Sequence, residues 1–399
     1  MKKILICLLL SCALLAGCSY SNFESVPQQS EELPYENISS SGVWLSFSEI
    51  NSMLKSESGF KAEFTKVLEN CRTLKIGEIY VHIRSYCDSL YKSEYFPLVK
   101  AAEGIDYDVF EYIVSACHTY GIKVHAWINP YRVMTSSSDK EALGHDCPAY
   151  KWLSDDNTEN DKNVCIFGGI YLNPAEYEAR ELVINGIREV LKKYDVDGIH
   201  FDDYFYPTTD PEFDAVSYEK YKSETENPLS LSDWRRANVN ALISGCYTAV
   251  KFYGKDIVFS VSPMASTQKN YNELYADVEA WVESGCIDCI IPQLYFGFDY
   301  PDKQFCFDNL LDEWLRLVSE NKQVKLKIGL APYKIGTDAE ADREEWNSSE
   351  DIIARQAEKC YKNGNVAGYV LFSYSSLASD ASLNVKQREN LSEIINYYN

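Results

Sequence analysis

The segment Asp197-Gly-Ile-His-Phe-Asp-Asp203 contains the pattern that decides the fold. Within it, isoleucine and phenylalanine alternate with His200 and Asp202, and this period of two predicts a β-strand with one apolar and one polar face. A helical pattern precedes the segment at 175–194 and another follows at 232–253. Strands that alternate with helices indicate a parallel sheet, because parallel strands need a long crossover connection.

The same unit recurs along the chain, with a β-rich run, a loop and then a helical pattern. Eight β-rich runs occur, at 43–47, 79–84, 123–128, 198–202, 257–262, 289–295, 326–331 and 368–374. Helical patterns follow them at 61–74, 107–120, 175–194, 232–253, 275–283, 305–321, 350–363 and 387–398. Eight such units predict an α/β fold with a single (β/α)8 TIM-type barrel. A doubly wound open sheet is the alternative, but no Gly-rich phosphate loop follows the first strand.

Two connections are much longer than the others. They run over 129–174 and 204–231, after the third and fourth predicted strands. Long loops in a compact domain are often functional, and loops that follow strands lie on the catalytic face of a barrel.

The composition limits the classes of partner. The chain has 399 residues, of which 46% are hydrophobic and 25% charged, as in ordinary globular proteins. Acidic residues outnumber basic ones 60 to 38, so the net charge is −22. Nucleic-acid binding needs clustered Lys and Arg, and we therefore expect no nucleic-acid partner. We expect a monomer with a polar cleft, since 30 tyrosines suit stacking and hydrogen bonding to a wet ligand.

The N-terminal sequence predicts export. Two lysines precede an apolar run at 4–16, which is too short to span a bilayer and has the layout of a secretory signal. The run ends Leu15-Ala16-Gly17-Cys18, which resembles a bacterial lipobox. We therefore predict a lipoprotein signal peptide at 1–17, a lipidated Cys18 with a flexible tether at 18–40, and a barrel domain at 41–399. The chain would then be anchored to the outer face of the cytoplasmic membrane or cell envelope. An ordinary signal peptide with an unrelated cysteine is the alternative.

Ten of the 13 cysteines follow position 18. Export allows disulfides, but several of these cysteines lie in apolar periodic segments, where a thiol acts as a small hydrophobic group. The disulfide state is left open. Cys286 and Cys289 form a lone CxxC without a second pair or nearby histidines, so we predict no metal and no cofactor there.

Side-chain alternation predicts which residues face the barrel interior. In five strands, polar or aromatic residues occupy every second position, and apolar residues occupy the positions between them. The polar sets are Tyr80, His82 and Arg84; His125, Trp127 and Asn129; His200 and Asp202; Ser260 and Ser262; and Gln293 and Tyr295. A purely structural barrel interior would use Val, Ile and Leu, so the pattern predicts a polar pocket at the carboxyl ends of the strands.

The adjacent Asp202 and Asp203 end the fourth strand, and carboxylates are costly to bury unless they are paired or used. One could cap the next turn and the other could bind Arg235 or Arg84. The functional interpretation is acid–base or charge-stabilising work on a neutral polar substrate. Asp202 with His82, His125 and His200 also resembles a metal-ligand set, although Arg84 and Arg132 nearby would oppose a cation.

Several motifs in this order resemble one known family. They are Gly42-Val-Trp44, Arg84 with Asp88 and Tyr91, His125-Ala-Trp-Ile-Asn-Pro-Tyr-Arg132, Leu172-Asn-Pro174, Asp197 to Pro207, Trp234-Arg-Arg with Asn238 and Asn240, Ser262-Pro263, and Pro292-Gln-Leu-Tyr295. The chain resembles glycosyl hydrolase-like family 10, a group of exported bacterial proteins that are often lipoproteins, from about residue 41 to 375. The resemblance implies a TIM-type barrel, glycoside hydrolysis and, as substrate, peptidoglycan glycan strands stripped of their stem peptides.

The chain departs from the family pattern at three places. Ser85 and Cys87 stand where the second-strand motif usually has Pro and Gly, Met264-Ala-Ser-Thr replaces the usual continuation after Pro263, and Phe296 replaces a Trp. The motif of the fourth strand is intact, so the departures concern sugar positioning more than chemistry.

These observations lead to specific roles. We predict Asp202 and Asp203 as the catalytic pair, with Asp203 as acid and Asp202 as the group that orients a 2-acetamido substituent, or the reverse. Sugar stacking is assigned to Trp44, Trp127, Tyr131, Tyr204 and Tyr295, and hydroxyl or lactyl-carboxylate binding to Arg84, Arg132, Arg235, Asn129, Asn238 and Gln293. The motifs add as substrate-binding residues Asp88, Tyr91, His125, His200, Tyr206 and Trp234. Two alternatives are a glycan-binding lipoprotein without catalysis and a metal-dependent hydrolase or deacetylase that uses His82, His125, His200 and Asp202.

Overall fold

A computed structural model describes residues 39–337 and 341–398. The predicted signal peptide, Cys18 and all but the end of the tether lie outside the described residues. In the described part, no helix is both long and apolar enough to cross a bilayer.

Eight parallel strands close into a barrel, in the order β1-β11-β10-β9-β8-β7-β3-β2. This confirms the (β/α)8 prediction and excludes the open sheet. The barrel strands are β1 (Ser39–Leu45), β2 (Ile76–Arg84), β3 (Lys123–Ile128), β7 (Gly198–Phe201), β8 (Val258–Val261), β9 (Cys289–Ile290), β10 (Lys325–Leu330) and β11 (Val366–Leu371).

Helices surround the barrel close to the positions that the periodicity predicts. Polar side chains define where several begin: Ser56 accepts a hydrogen bond from the Gly59 amide (3.1 Å) at the start of α2, and Asp108 caps α3. The helices are α1 (Phe47–Met53), α2 (Glu57–Thr73), α3 (Val109–Thr119), α4 (Pro148–Ser154), α5 (Tyr177–Lys193), α6 (Ala215–Glu224), α7 (Leu231–Tyr253), α8 (Thr267–Asn272), α9 (Val278–Ser284), α10 (Phe307–Val318), α11 (Arg343–Ser348), α12 (Ile352–Lys362), α13 (Tyr374–Leu377) and α14 (Ser382–Tyr398).

The two long loops after β3 and β7 carry their own structure. The first contains α4 and a small antiparallel sheet of order β4-β6-β5, formed by β4 (Arg132–Met134), β5 (Val164–Ile166) and β6 (Ile170–Leu172). The second contains α6. Both follow barrel strands, so they extend the carboxyl-end face of the barrel, as predicted.

Apolar packing occurs in two layers. Outward residues such as Ile79, Ile199 and Phe201 are fully buried between the strands and the helices. A smaller cluster fills the barrel interior and is rich in aromatic rings: Trp44, Tyr80, Trp127, Cys289, Ile291 and Val370. The interior is therefore a packed floor on which polar groups at the strand ends can be held.

One register irregularity corrects the predicted alternation. Along β2 and β3, His82 pairs with Trp127, but Arg84 pairs with the next residue, Ile128, so β2 carries a bulge between His82 and Arg84. The bulge moves Arg84 to the outer face, where its guanidinium lies 4.3 Å from the centre of the Phe96 ring. The prediction that Arg84 shares the interior parity of Tyr80 and His82 is wrong for this reason.

Candidate active site

A cleft of about 530 Å³ opens at the carboxyl ends of the barrel strands. The structure brings together there eight of the residues predicted for the site: Trp44, Trp127, Arg132, Asp202, Asp203, Tyr204, Gln293 and Tyr295. Five elements supply them, namely the ends of β1, β3, β7 and β9 and the small sheet after β3. The cleft therefore lies where active sites of (β/α)8 barrels are found.

Asp202 is held rigidly on the floor of the cleft. Its carboxylate accepts hydrogen bonds from Trp127 Nε1 (2.9 Å), from Asn129 Nδ2 (3.1 and 3.2 Å to its two oxygens) and from the Tyr204 amide (3.4 Å). Only 3% of the residue is exposed. The donor on β3, Trp127, is positioned by the barrel register, which pairs it with His200, two residues before Asp202.

Burial and mutual charge alter the acidity of the pair. Burial, followed by the nearby charge of Asp203, raises the pKa of Asp202 to about 7, against the opposing effect of the hydrogen bonds from Trp127 and Tyr204. Burial also raises the pKa of Asp203, while Gln293 and Arg132 act in the opposite direction. A carboxyl pair of this kind retains a proton near neutral pH, as acid catalysis requires.

Aromatic rings form the walls of the cleft. Tyr295 stacks on Phe372 with ring centroids 6.0 Å apart, and Tyr333 meets both rings edge-on. His82 stacks on Trp127 at 3.6 Å, and the Trp127 ring meets Phe372 edge-on at 6.4 Å. Such apolar faces next to carboxyl groups suit the flat faces of sugar rings.

Arg132 brings a positive charge to the same cleft. It lies on β4 of the small sheet, and its guanidinium is 4.4 Å from the centre of the Tyr204 ring and 4.8 Å from that of Tyr86. It also donates a hydrogen bond to the Tyr86 hydroxyl (3.1 Å). The arrangement holds a cation beside the acidic pair and leaves it in the lining of the cleft.

One polar group of the cleft was missed from the sequence. Glu49 accepts hydrogen bonds from the Ser46 amide (2.7 Å), from Ser373 Oγ (2.8 Å) and from the Ser375 amide (2.5 Å). It lies on α1 and joins the segment after the first strand to the segment after the last. The available signal was a polar run after each of these strands, because closure of a barrel makes them neighbours.

Other cleft residues that were not predicted are Ser46, Phe47, Ser48, Tyr333, Phe372, Ser373, Ser375 and Ser376. His82 and Ser262, which were predicted to face the barrel interior but were not assigned to sugar binding, also line the cleft.

Two predicted binding residues lie deeper, below the cleft. His200 accepts a hydrogen bond from Trp44 Nε1 (3.0 Å) and bonds Ser260 Oγ (2.9 Å) through its other ring nitrogen. His125 stacks on Tyr80 at 4.5 Å and lies 3.4 Å from Glu78. The structure therefore places both histidines in the interior framework that supports Trp44 and Trp127.

Other predicted binding residues lie outside the cleft. Arg235 is fully buried in a bidentate pair with Asp214, and Tyr131 and Tyr206 are buried in the outer core. The remaining placements are as follows: Asp88 lies in the loop after β2, Tyr91 bonds Glu189 (3.3 Å), Trp234 packs against Tyr218 and Tyr221, and Asn238 accepts a hydrogen bond from Arg180 (3.3 Å). Asn129 supports Asp202 from beneath, and Arg84 faces outward because of the bulge.

The four residues of the alternative metal set do not share a centre. His82 stacks on Trp127, His200 is bonded to Trp44 and Ser260, and Asp202 uses both oxygens for other donors. Across 39–337 and 341–398, no group of three or more His, Cys, Asp or Glu side chains could hold a metal ion. The geometry of these donors gives the metal-dependent alternative no support.

The closed ring of eight parallel strands with its surrounding helices defines a TIM barrel, with the cleft at the carboxyl ends of the strands. Residues 40–348 match the family model described as glycosyl hydrolase-like 10. The chain belongs to this family.

Curated relatives agree with this assignment. The chain is 31% identical to the glycosyl hydrolase YngK of Bacillus subtilis over 320 residues, which are 73% of this chain and 59% of the relative. It is 29% identical to the glycosyl hydrolase DigH of Escherichia coli K12 over 300 residues, or 67% of this chain and 65% of that protein. The chain thus spans about three fifths of the length of these curated relatives.

Two solved glycoside hydrolase barrels show the same fold at low identity. The glycoside hydrolase domain of PgaB from Bordetella bronchiseptica superposes with a TM-score of 0.58 at 12% identity, covering 86% of this chain and 95% of that one. The catalytic domain of β-amylase from Paenibacillus polymyxa gives 0.60 at 10% identity, with coverage of 90% and 98%. At these identities the likeness concerns the fold alone.

Proposed function

We propose that this protein is a glycosidase that hydrolyses a bacterial polysaccharide, specifically peptidoglycan glycan strands with 2-acetamido sugars. The observation that carries the proposal is the pair Asp202 and Asp203, which lines an aromatic cleft and whose two pKa values are both raised. Its family membership and the fold it shares with glycoside hydrolase barrels support the same reaction class.

The two carboxyls occupy different surroundings, which suits different roles. Asp202 is almost fully buried and is fixed by three donors, so it is the group that would orient the 2-acetamido substituent. Asp203 is only partly buried and would protonate the leaving oxygen. The acetamido oxygen would then attack the anomeric carbon, and water would open the cyclic intermediate. This substrate-assisted route avoids the wide separation of carboxyls that two-carboxylate glycosidases need.

The remaining cleft groups fit a glycan without stem peptides. The faces of Trp127, Tyr204 and Tyr295 would pack against sugar rings. Removal of a stem peptide leaves a lactyl carboxylate, and Arg132 is the cation in the cleft lining that would bind it. A strand that still carries peptides offers no such carboxylate and is bulkier, so we expect it to be a poorer substrate.

Incubation with purified glycan strands, followed by mass spectrometry of the products, tests the substrate class. We expect cleavage of strands without stem peptides, weaker cleavage of strands with them, and none of starch or xylan. Release of oligosaccharides from starch or xylan alone would contradict the substrate assignment. Tight binding of glycan strands with no new reducing ends would instead identify a glycan-binding lipoprotein.

We also propose that the chain is exported and anchored through a lipid on Cys18. The support is the lipobox-like Leu15-Ala16-Gly17-Cys18, together with a net charge of −22, which would otherwise keep the chain away from an anionic membrane. Metabolic labelling with a clickable fatty acid should mark the wild-type chain in the membrane fraction and fail to mark Cys18→Ala. Equal labelling of both would contradict the anchor.

A further inference from the structure

A second cavity lies beside the candidate active site. It measures about 190 Å³, against about 530 Å³ for the cleft, and the two cavities share Phe47 and His82 in their linings. These two side chains therefore form the wall between them. The smaller cavity, the side chamber, is otherwise lined by α1, by the end of β2 with the loop that follows it, and by the segment 99–101. Pockets that hold a whole small ligand usually exceed roughly 300 Å³, so the side chamber suits a substituent rather than a sugar ring.

His82 is the part of this wall that can form hydrogen bonds. Its ring stacks on Trp127 at 3.6 Å and meets Phe47 edge-on at 5.6 Å. Only 5% of the residue is exposed, and no group of the described residues meets hydrogen-bond geometry with either ring nitrogen. Buried polar groups without a partner are rare and unfavourable in folded proteins. A ligand that crosses the wall would give this ring its partner.

The protonation state of the imidazole defines what it can bind. Burial, followed by the charge of Arg132, lowers the pKa of His82, while the nearby Arg84 backbone acts in the opposite direction. The ring is therefore neutral near pH 7 and carries one N–H donor and one acceptor nitrogen. Such a ring suits a neutral polar group better than an ion.

The rest of the lining combines polar and apolar groups. Asp88 is half-buried and accepts a hydrogen bond from the Tyr86 amide (3.4 Å), and its carboxylate has further acceptor capacity. Lys100 is exposed and offsets this negative charge, while Ile50 and Leu90 contribute apolar surface. The charges of the lining thus cancel. This favours a neutral substituent with a polar and an apolar part over a carboxylate or an amine.

We propose that the side chamber binds the 2-acetamido group of a sugar next to the one held by Asp202 and Asp203, which rests on the proposed function because the ligand is a 2-acetamido glycan. The acetamido oxygen accepts a hydrogen bond from His82, and its N–H donates to Asp88. Its methyl group lies against the apolar side chains of the chamber. A sugar with a hydroxyl at this position has neither the amide nor the methyl group and leaves the chamber unfilled.

Phe47 has to move before this group can reach His82, because both ring nitrogens of His82 are buried. Phe47 is the first residue of α1, is half-buried, and meets the Tyr86 ring edge-on at 5.8 Å. Side-chain rotamer changes with little backbone movement are common at binding interfaces. A turn of the Phe47 ring would join the side chamber to the cleft.

Binding of an oligosaccharide to a chain with a filled side chamber tests the proposal. The full chain carries Asp203→Asn to prevent cleavage and is titrated by calorimetry with a pentamer of 2-acetamidoglucose. Ala101→Leu enlarges a half-buried side chain of the chamber lining, and Ala116→Leu makes the same change at a half-buried position of α3 outside both cavities. We expect Ala101→Leu to weaken binding by about tenfold or more, as loss of the hydrogen bonds in the chamber does, and Ala116→Leu to leave it unchanged. Cellopentaose, which has hydroxyls in place of acetamido groups, should bind both variants with the same lower affinity.

The histidine ring nitrogens give a second, direct signal. The chain has five histidines. His82→Phe keeps a flat ring against Trp127, removes both nitrogens and so identifies the His82 signals in nitrogen NMR spectra of the chain with labelled histidine. The pentamer should shift these signals, and His82→Phe should weaken its binding. His145→Phe, which replaces an exposed histidine stacked on Tyr150 (4.7 Å), is the matched control and should bind as the parent chain does.

The outcomes separate this proposal from the proposed function. Equal binding by Ala101→Leu and Ala116→Leu, or His82 signals that do not move, would overturn the side chamber even if the wild type cleaves glycan strands. If His82→Phe does not fold, the two leucine variants decide. Weaker binding by Ala101→Leu, together with a wild type that releases no reducing ends, would overturn the glycosidase and support the side chamber. Absence of pentamer binding in every chain would overturn the side chamber, and the release of reducing ends from glycan strands would then decide the glycosidase separately.

Discussion

Single residues set the chemistry of the cleft through their surroundings. The carboxyl of Asp202 carries opposing influences, because burial and Asp203 favour its protonated form while Trp127 and the Tyr204 amide favour its ionised form. The balance lies on the side of protonation, with a pKa of about 7. Because several neighbours set the pKa of Asp202, a change to any one of them should shift that pKa measurably.

The first prediction concerns stability as a function of pH. Since the pKa of Asp202 is raised in the folded state, its contribution to stability is complete below the unfolded pKa near 4 and is lost as pH rises through about 7. Asp202→Asn carries no such titration. The free energy of unfolding of this variant, relative to wild type, should therefore increase by roughly 3 kcal/mol between pH 5 and pH 8. Urea unfolding at the two pH values measures it, and a pH-independent difference would contradict the assignment.

The second prediction concerns Trp127→Phe, which removes the donor to Asp202 and keeps an aromatic ring against His82. Loss of the hydrogen bond should raise the pKa of Asp202 further and lower activity by about tenfold or more. The rate on glycan strands against pH measures both effects. Trp314→Phe, which removes a similar hydrogen bond to the Ala265 carbonyl outside the cleft, is the matched control and should leave the profile in place.

For single residues, the alternation of polar and apolar side chains along the strands predicted much of the site. It identified Trp127, Asn129 and Asp202 because β3 and β7 are regular. It misplaced Arg84, because a bulge reverses the faces of a strand and leaves no mark in the residue pattern. It could not find the role of Arg235 either, since its partner Asp214 comes from the preceding long loop and the contact depends on how that loop folds.

Whole elements are joined by a few buried polar contacts, of which Arg235 is the clearest. This residue of α7 is fully buried and donates through its guanidinium to Asp214 and to the Asp210 carbonyl (2.7 Å). The pair attaches α7 to the loop after β7, on the side of the barrel that carries the two catalytic candidates. Removal of one partner leaves a buried charge without compensation.

The third prediction follows from this pair. Arg235→Met should lower the free energy of unfolding by about 3–5 kcal/mol, because Asp214 would remain buried without its cation. Arg188→Met, which removes an exposed pair with Glu181, should cost less than about 1 kcal/mol. Chemical denaturation of both variants beside the wild type measures the difference, and equal losses would contradict the account of the buried pair.

The order and type of the elements were predictable, whereas the content of the long loops was not. Each predicted helix is present with its ends displaced by a few residues, since the apolar period defines a face better than an end. The strand predicted over 289–295 is regular only at Cys289–Ile290, because the chain then turns into the cleft at Pro292. The small sheet inside 129–174 has strands of three residues, which are too short to give a periodic signal.

Closure of the barrel is the property of the whole molecule that makes the cleft. It brings α1, which follows β1, next to the segment after β11, where Glu49 bonds Ser373 and Ser375 across more than three hundred residues of chain. A polar run follows each of these strands in the sequence, but neither run by itself reports the contact. It follows only from the count of eight βα units, which the sequence does contain.

The fourth prediction tests the contact between Glu49 and the segment after β11. Glu49→Ala should lower the free energy of unfolding by about 2 kcal/mol, because the Ser46 and Ser375 amides lose their acceptor. Glu63→Ala, which removes an exposed i,i+3 pair with Lys66 on α2, is the control and should change stability by less than about 0.5 kcal/mol. Thermal unfolding measures the melting temperatures of the two variants. Similar melting temperatures would show that the hydrogen bonds to Glu49 contribute nothing to stability.

The central claim is that Asp202 and Asp203 cleave glycan strands, and the count of new reducing ends released from strands without stem peptides tests it most directly. Wild type and Asp195→Asn, a change of a carboxylate that is 98% exposed at the amino end of β7, should release them at equal rates. Asp202→Asn and Asp203→Asn should each reduce the rate by at least about a hundredfold, because the first loses the group that orients the acetamido substituent and the second loses the acid that protonates the leaving oxygen. Full activity in both variants, on a substrate that the wild type cleaves, would contradict the claim.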